Sequence, residues 1–216
     1  MSTLQNPSSL SREEQKKASR IGLKKASLVC FQKNGVSNTQ IKDIASQAGV
    51  ARATFYFHFN DKQLLIKELI YDYNTELNKM ISNQLSKVTK SPSSIILESL
   101  VQIFLNFLKK NPPYMLIYSE QITLDQKNMY LRDGINPELV KILIHFFQTN
   151  GNCSQKEAHL LTHGILALWM RVGLQYIHGN NINKTQAISA LTKMTIGVIN
   201  AYIPNLKKLW RSNEQF

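Results

Sequence analysis

Apolar residues recur at three- and four-residue spacing along most of the chain, which is the periodicity of amphipathic helices. No stretch of comparable length alternates apolar and polar residues as a half-buried strand does. The pattern therefore predicts an all-α protein of about nine helices. They cover roughly residues 11–34, 37–47, 51–57, 61–85, 93–110, 112–126, 136–149, 155–178 and 185–203. Residues 1–10 have little apolar content, and we expect them to be a disordered arm.

Helix-capping residues support several of these boundaries. Two pairs match the capping-box pattern at helix starts: Ser11 with Glu14, and Ser37 with Gln40. Gly35 stands where a glycine commonly ends a helix. Asn60 or Asp61 is expected to cap a long fourth helix that reaches about Leu85.

Two of the predicted helices are short and meet at Gly49, which suggests a helix-turn-helix. Ala45 supplies the small side chain needed where the two helices cross, and Gly49 allows a positive φ in the turn. The pair would be locked by apolar residues, which are Ile41, Ile44, Ala48, Val50 and Phe55. Many such units bind nothing, so this spacing alone leaves DNA binding and a purely structural role both open.

Residues 35–62 resemble the N-terminal domain of the TetR family of transcriptional regulators. The matching residues are Gly35, Thr39, Ile44, Ala45, Ala48, Gly49, Val50, the run TFYFHF (54–59), Lys62 and Leu64. Two positions depart from the pattern, since the family often has Ser or Thr at Ala51 and Gly at Ala53. The resemblance implies an N-terminal helix-turn-helix DNA-binding domain (11–62) followed by a helical ligand-binding and dimerisation domain (63–216).

Ring side chains fill residues 55–59, and helical spacing sorts them into inward and outward sets. Residues four apart share a face, which pairs Phe55 with Phe59, Arg52 with Tyr56, and Thr54 with His58. We expect the three phenylalanines, Phe55, Phe57 and Phe59, to face the core. The polar pairs then face outward toward DNA. The candidate DNA contacts are Thr39, Ala51, Arg52, Ala53, Thr54, Tyr56, His58 and Lys62.

The charge distribution favours a polyanionic partner for the same region. The formal net charge is +12, and residues 1–60 carry 9 Lys/Arg against 3 Asp/Glu. Residues 61–216 have the same net charge over more than twice the length. The N-terminal quarter is therefore the expected contact with double-stranded DNA.

The later helices carry apolar residues on two sides, so each must be buried on two sides. One side would pack within the subunit and the other against a second copy, and the resemblance implies a dimer formed by the last two long helices. Candidate interface residues are Leu166, Met170, Leu191, Met194 and Val198. Candidate lining residues for a small-molecule cavity are Tyr73, Phe104, Phe107, Met115, Tyr118 and Trp169. The aromatic and apolar character of these residues favours an apolar effector.

No catalytic signature and no cofactor motif is visible, so we do not expect an enzyme. His159 and His163 stand four apart on a predicted helix and could hold a metal, but polar or surface histidines are the commoner explanation. No segment reaches the roughly 18 apolar residues of a membrane span, and no secretory signal is visible. The two cysteines, Cys30 and Cys153, suggest no disulfide framework. We therefore expect a cytoplasmic protein.

Together these patterns predict a homodimeric, ligand-responsive repressor that binds a palindromic operator. The alternative is a constitutive DNA-binding regulator, or an activator, without a small-molecule effector. The sequence identifies neither the effector, nor the operator, nor the regulated genes.

Overall fold

The structure is a computed structural model that describes residues 11–87, 94–124, 136–179 and 182–203. These ranges contain nine helices and no strand, so the all-α prediction is confirmed. The helices are α1 (Arg12–Asn34), α2 (Ile41–Gln47), α3 (Arg52–His58), α4 (Lys62–Leu85), α5 (Ser94–Lys110), α6 (Pro112–Leu124), α7 (Pro137–Gly151), α8 (Gln155–His178) and α9 (Lys184–Tyr202). The predicted arm at residues 1–10 lies outside the described residues.

The predicted caps of α1 and α4 are confirmed. The Ser11 hydroxyl accepts from the Glu14 N–H at 3.3 Å, and the Glu14 carboxylate accepts from the Ser11 N–H at 2.8 Å. Gly35 ends α1 with a φ of 79°, a conformation that L side chains rarely adopt. At the start of α4, Asp61 Oδ1 accepts from the Leu64 N–H at 2.7 Å. Local sequence therefore places these three helix ends.

The predicted start of α2 at Ser37 is wrong, because the helix begins at Ile41. Its capping box is formed by Gln40 with Asp43, whose carboxylate accepts from the Gln40 N–H at 2.9 Å. The residues before it form a turn, which the Thr39 hydroxyl stabilises by donating to the Gly35 carbonyl oxygen at 2.6 Å. That side-chain bond competes with the helix that the Ser37 pattern predicted.

The chain divides into two compact units, Met1–Tyr71 and Asp72–Phe216, and the division falls inside α4. The sequence placed the domain boundary earlier, after residue 62. In the first unit, α1 packs against α2 and α2 against α3. Its core consists of side chains with no more than 3% exposure: Leu23, Phe31, Val36, Ile44, Ala45, Phe55, Phe59, Leu65, Ile66 and Leu69. This core holds α3 against the rest of the unit.

The second unit is a helical bundle around a larger apolar core. Helix α5 packs against α6, α8 and α9, and α8 also packs against α7 and α9. Gly173 of α8 allows this close packing, since a Cβ at that position would stand 2.6 Å from Leu108 Cδ1 on α5. The bundle is therefore close-packed where α5 meets α8.

Two polar contacts hold the second-unit part of α4. The Tyr114 hydroxyl donates to Asn74 Oδ1 at 3.1 Å. One helical turn later, Asn78 and Asn136 exchange amide hydrogen bonds, of 2.6 Å and 3.3 Å. Asn136 also caps α7 by accepting from the Leu139 N–H at 3.2 Å. These directional bonds fix the position of α4 along its axis relative to α6 and α7.

Candidate functional site

The turn between α2 and α3 has the geometry that the sequence predicted. Gly49 has a φ of 67°, and Ala45, at 2% exposure, is buried where the helices cross. The Val50 N–H donates to the Ala45 carbonyl oxygen at 3.0 Å, which closes the turn. Because Phe55 is fully buried below, α3 is presented on a fixed support.

The ring side chains of α3 are arranged differently from the prediction. Phe55 and Phe59 are fully buried, with ring centroids 5.6 Å apart, as predicted. Phe57, however, is 67% exposed, and His58 is only 7% exposed, so their expected directions are wrong. Residues three apart also share a helix face, which places His58 beside Phe55 and turns Phe57 to the opposite side. The pairing of Thr54 with His58 overlooked this second spacing.

His58 is bonded inside the first unit. Its Nε2 lies 2.7 Å from the Ser19 hydroxyl, which donates its proton to the Lys16 carbonyl oxygen at 3.0 Å. Nε2 therefore carries the ring proton, and Nδ1 is buried without a hydrogen-bond partner among the described residues. Burial lowers the pKa of His58, and the positive charges of Arg20 and Lys16 lower it further. The lowered pKa favours the neutral form of His58.

Arg20 connects α1, α3 and α4 within the first unit. Its Nη1 donates to the His58 carbonyl oxygen at 2.7 Å, and its guanidinium lies 4.4 Å from the centre of the Phe59 ring. Nη2 donates to the Glu68 carboxylate, which also pairs with Lys24 at 3.2 Å. The C-terminal end of α3 is thereby held from two neighbouring helices.

One side of α3 is exposed in the single chain. We call it the α3 face, and it consists of the exposed residues Ala51, Arg52, Ala53, Tyr56 and Phe57. Arg52 Nη2 donates to the Tyr56 hydroxyl at 3.0 Å, and its guanidinium lies 5.5 Å from the centre of that ring. Thr54 is half-buried at the edge of this face. Sequence reasoning missed Phe57, although its position opposite Phe55 on a helix could have identified it.

Thr39 and Lys62 do not lie on the α3 face. Thr39 is 1% exposed, and its hydroxyl donates to the carbonyl oxygens of Gly35 and Cys30 at 2.6 and 3.2 Å. Lys62 Nζ donates to the carbonyl oxygens of Val36 and Thr39 at 2.7 and 2.8 Å. It donates to the Ser37 carbonyl oxygen as well, at 3.3 Å. The structure thus gives both residues a role in holding the loop between α1 and α2.

A polar groove beside the α3 face brings basic side chains together. It has a volume of about 310 Å³ and includes Lys42 of α2 together with Arg52 of α3. The Lys42 side chain is exposed, and the sequence reasoning did not select it. Lys42 could have been identified from the sequence, because it lies in the first turn of the helix that precedes the turn motif. Groove and face together make a basic surface with exposed rings.

The second unit contains an apolar cavity of about 40 Å³. Its wall is built from leucine, isoleucine and aromatic side chains contributed by α4, α5, α7, α8 and α9. The lining residues are Leu77, Ile81, Leu85, Ile96, Leu97, Leu100, Phe104, Leu139, Leu143, Phe146, Phe147, Ile165, Leu166, Trp169, Thr195 and Ile199. Thr195 is the polar member of this set, and Trp169 Nε1 donates to its hydroxyl at 2.9 Å.

Comparison with known proteins identifies the motif region. Residues 23–69 match the family described as "Bacterial regulatory proteins, tetR family". This range includes the helix-turn-helix and the whole α3 face. This part of the chain is similar to regulators of the TetR family. The resemblance seen in residues 35–62 is therefore confirmed.

Curated relatives match only part of this chain. One is the uncharacterized HTH-type transcriptional regulator YerO of Bacillus subtilis (strain 168), 29% identical over 99 residues, or 45% of this chain and 34% of the relative. Another is the HTH-type transcriptional regulator AcrR of Shigella flexneri, 32% identical over 73 residues, or 34% of each chain. The chain thus spans about a third of the length of these relatives.

Solved structures extend the likeness to the whole fold. A TetR-family regulator from Syntrophomonas wolfei superposes with a TM-score of 0.71 at 19% identity, covering 87% of this chain and 96% of that one. The fatty acid degradation regulator FadR from Bacillus halodurans gives a TM-score of 0.66 at 21% identity, covering 83% and 95%. At these identities the likeness concerns the fold. Both units therefore have the architecture of TetR-family structures.

The cavity includes only some of the lining residues that the sequence predicted. Phe104 and Trp169 line it, with ring centroids 5.4 Å apart. Tyr73 and Phe107 instead pack around the buried Tyr114, and burial raises the pKa of Tyr73 to about 12. The other two predicted residues stand outside the wall as well: Tyr118 neighbours Tyr114, and Met115 is fully buried.

The predicted interface residues on α8 and α9 fall into two groups. Leu191 is fully buried, and Leu166 is 7% exposed and lines the cavity, so both face the interior of their own subunit. Met194 is 46% exposed, and Met170 and Val198 are half-buried. Only the second group retains surface for a neighbouring molecule.

The rings of His159 and His163 stack with centroids 4.3 Å apart on α8. Within the described ranges, no group of three or more His, Cys, Asp or Glu side chains is arranged to hold a metal ion. Cys30 and Cys153 are both free thiols. Within those ranges, too, no helix combines the length and apolar character that crossing a membrane requires.

Proposed function

We propose that this protein is a homodimeric transcriptional repressor that binds a palindromic operator and is released by a small apolar effector. The observation that carries the DNA-binding part is the α3 face, an exposed helix side of Arg52, Tyr56 and Phe57 on a rigid turn. The match of residues 23–69 to a family of bacterial regulatory proteins supports the same conclusion. Such a protein would act in the cytoplasm, where its operator lies.

Each residue of the α3 face has suitable chemistry for a major groove. Arg52 can donate two parallel bonds to guanine O6 and N7 or to a phosphate. Tyr56 can donate its hydroxyl to a backbone oxygen, and the Phe57 ring can pack against a thymine methyl group or a sugar. Ala51 and Ala53 have short side chains, so the backbone of α3 can come close to the bases. Lys42 in the adjoining groove adds attraction for phosphate.

A double substitution tests DNA binding. The operator is first obtained by selecting bound sequences from random DNA. Arg52→Ala with Tyr56→Ala should then weaken operator binding at least about 100-fold, since each good base contact contributes roughly 1–3 kcal/mol. Lys109→Ala, which removes an exposed positive charge from the second unit, is the control and should change little. Unchanged operator affinity in the double variant, with native circular dichroism, would refute the proposal.

The dimer part of the proposal rests on the outward side of α8 and α9. Leu160 (53%), Met194 (46%) and Tyr202 (50%) are large apolar side chains exposed there in the single chain. Covering them with a second copy would remove this apolar surface from water. Two copies would also place two α3 faces on one palindrome.

Matched substitutions test the dimer. Met194→Arg should produce monomers in analytical ultracentrifugation, because it places a charge inside the proposed interface. Met80→Arg, at a 36% exposed position on α4, should leave the dimer intact. A dimer that survives Met194→Arg would contradict the proposed interface.

The cavity supports a small-molecule effector, and its volume suggests how one would act. Sites for drug-sized ligands are about 300–1,000 Å³, far larger than the 40 Å³ present here. A ligand would therefore have to displace the wall, including Leu77 and Ile81 on α4. Because α4 is continuous into the first unit, this displacement would change the presentation of α3 and lower operator affinity.

The small cavity volume also favours the alternative, a constitutive regulator without an effector. The two are separated by measuring operator affinity in the presence of apolar compounds that bind the protein. If the protein is a repressor released by an effector, binding of such a compound should lower its operator affinity. A bound compound that leaves operator affinity unchanged would instead support constitutive regulation.

A further inference from the structure

We propose that the cavity of the second unit admits only neutral, compact, hydrocarbon-like ligands and excludes carboxylates and amines of the same size. This inference names the class of effector and rests on the proposed function only in treating the cavity as the effector site. The binding site itself can be tested without DNA.

The wall offers a bound charge no partner. Along the described part of the chain, every lining residue other than Thr195 is Leu, Ile, Phe or Trp. Among these side chains, the Trp169 indole N–H is the one group that could donate to a carboxylate, and it already donates to Thr195; none of them can accept from an ammonium group. Transferring an unpaired charge into such surroundings costs far more than a hydrocarbon ligand of the same shape gains.

Among the described lining residues, the hydroxyl of Thr195 is the polar group of the wall, and it already makes two hydrogen bonds. Thr195 Oγ1 donates to the Leu191 carbonyl oxygen at 2.7 Å and accepts from Trp169 Nε1 at 2.9 Å. Thr195 is 1% exposed and Trp169 is 6% exposed, so water cannot readily replace either bond. A carboxylate could engage Thr195 or the indole only by breaking this chain of hydrogen bonds.

The residues of the wall differ in how deeply they are buried. Phe104, Ile165 and Ile199 are at most 3% exposed, whereas Leu143 and Phe146 are half-buried. A long amphiphile could keep a charged end near such half-buried residues, but a compact molecule must be buried whole. The affinity of a compact ligand therefore depends on the chemistry of the lining residues.

Three compounds of nearly equal size provide the test: ethylbenzene, phenylacetate and phenethylammonium. Binding is followed by fluorescence of Trp169 in a Trp210→Phe variant, since the chain has two tryptophans. Ethylbenzene should bind at least about 100-fold more tightly than either ion, because the ions must lose hydration without gaining a partner. Equal or tighter binding of an ion overturns the proposal, and so does failure of ethylbenzene to bind.

A matched pair of leucines on α5 tests the location of the site. Leu100 lines the cavity and Leu105 does not, yet both are buried, at 6% and 0% exposure. Leu100→Ala should enlarge the cavity and strengthen ethylbenzene binding about tenfold, since a dry cavity lined by such residues accepts benzene-like molecules. Leu105→Ala should not strengthen it. An equal gain in both variants, or no gain from Leu100→Ala, overturns the proposed location.

Milder substitutions repeat this test if an alanine variant fails to fold. Ile165→Val removes one methyl group from the wall, and Ile117→Val removes one from a fully buried position elsewhere in the second unit. Only Ile165→Val should strengthen ethylbenzene binding. A strengthening by Ile117→Val of the same size would again overturn the location.

The outcomes also separate this inference from the proposed function. If ions bind best and still release operator DNA, the ligand class is wrong and the repressor mechanism stands. If ethylbenzene binds the cavity as expected but operator affinity does not change, the ligand class stands and ethylbenzene does not act as an effector.

Discussion

The two units of this protein use polar groups in opposite ways. In the first unit, charged and polar side chains reach inward: Lys62 holds three loop carbonyls, and Arg20 holds the end of α3. In the second unit, the cavity wall is hydrocarbon, and Thr195 is already bonded within it. The first arrangement fixes one geometry, because hydrogen bonds are directional. The second is held by non-directional apolar contacts, which can rearrange around a guest.

The largest expected effect comes from Phe55 and Phe57, which lie on opposite sides of α3. Phe55→Ala should destabilise the first unit by about 3–5 kcal/mol, because it opens a cavity in a small core. Phe57→Ala, at a 67% exposed position, should change stability by no more than about 0.5 kcal/mol and should weaken operator binding. Hydrogen exchange of α1–α3 amides and operator titration measure the two effects. If Phe57→Ala destabilises the unit as much as Phe55→Ala, the description of the α3 face is wrong.

These two residues also show how far the sequence could specify the structure. The turn was predictable because Ala45 and Gly49 each meet a local requirement, a small side chain and a positive φ. The direction of His58 was not, because it depends on Ser19 and Arg20, which are close only after α1 has packed. Thr39 was misplaced for a similar reason, since its partner carbonyls belong to the end of α1.

In the second unit, the helices were predictable and the lining of the cavity was not. Helical periodicity located the apolar stripes of α8 and α9, which the structure contains. Which aromatic residues line the cavity depends on the relative placement of five helices. Phe104 and Trp169 were therefore found by composition alone, whereas Tyr73 and Phe107 belong to a separate cluster.

Asn78 and Asn136, which exchange amide hydrogen bonds, are the exception in the second unit, because their directional bonds contribute to its stability. Asn78→Leu should destabilise the protein by about 1–3 kcal/mol, because it leaves the amide of Asn136, only 6% exposed, without its partner. Asn83→Leu, at an exposed position on the same helix, is the matched control and should have little effect. Urea unfolding monitored by Trp169 fluorescence measures both. Similar stabilities for the two variants would mean that the amide pair contributes nothing specific.

The first unit should lose stability in mild acid because of His58. Its pKa in the folded chain is lowered from the ordinary 6.5, first by burial and then by Arg20 and Lys16. The unfolded chain therefore binds a proton more readily below about pH 6.5, so stability is complete above that pH and decreases as the pH falls toward the folded pKa.

His58 is the single histidine of residues 1–71, which makes this pH dependence assignable. In His58→Gln, hydrogen-exchange protection of α1–α3 should lose most of its dependence on pH between about 7 and 5. His145→Gln, at an exposed position of the second unit, should leave the dependence in place. Protection in the unsubstituted protein that stays constant over this range would show that His58 does not titrate there.

Lys16 lies beside the exposed ring of the α3 face, and its replacement should have only a small effect on stability. Its ammonium group is 5.5 Å from the centre of the Phe57 ring, and an exposed contact of this kind contributes about 0.5–1 kcal/mol. Lys16→Ala should therefore alter stability by less than about 1 kcal/mol. If Lys16 also contacts phosphate, the substitution should reduce the dependence of operator affinity on the logarithm of salt concentration by about one unit.

Phe57→Ala is the control for the salt dependence of operator affinity measured with Lys16→Ala. An uncharged ring releases no counterions, so its loss should weaken operator binding without changing the salt dependence. Lys17→Ala, which removes the neighbouring exposed lysine of α1, shows whether any lysine there has the same effect. If Lys16→Ala and Lys17→Ala reduce the salt dependence equally, α1 attracts DNA only through its overall charge. A reduction confined to Lys16→Ala would place the phosphate backbone next to Phe57.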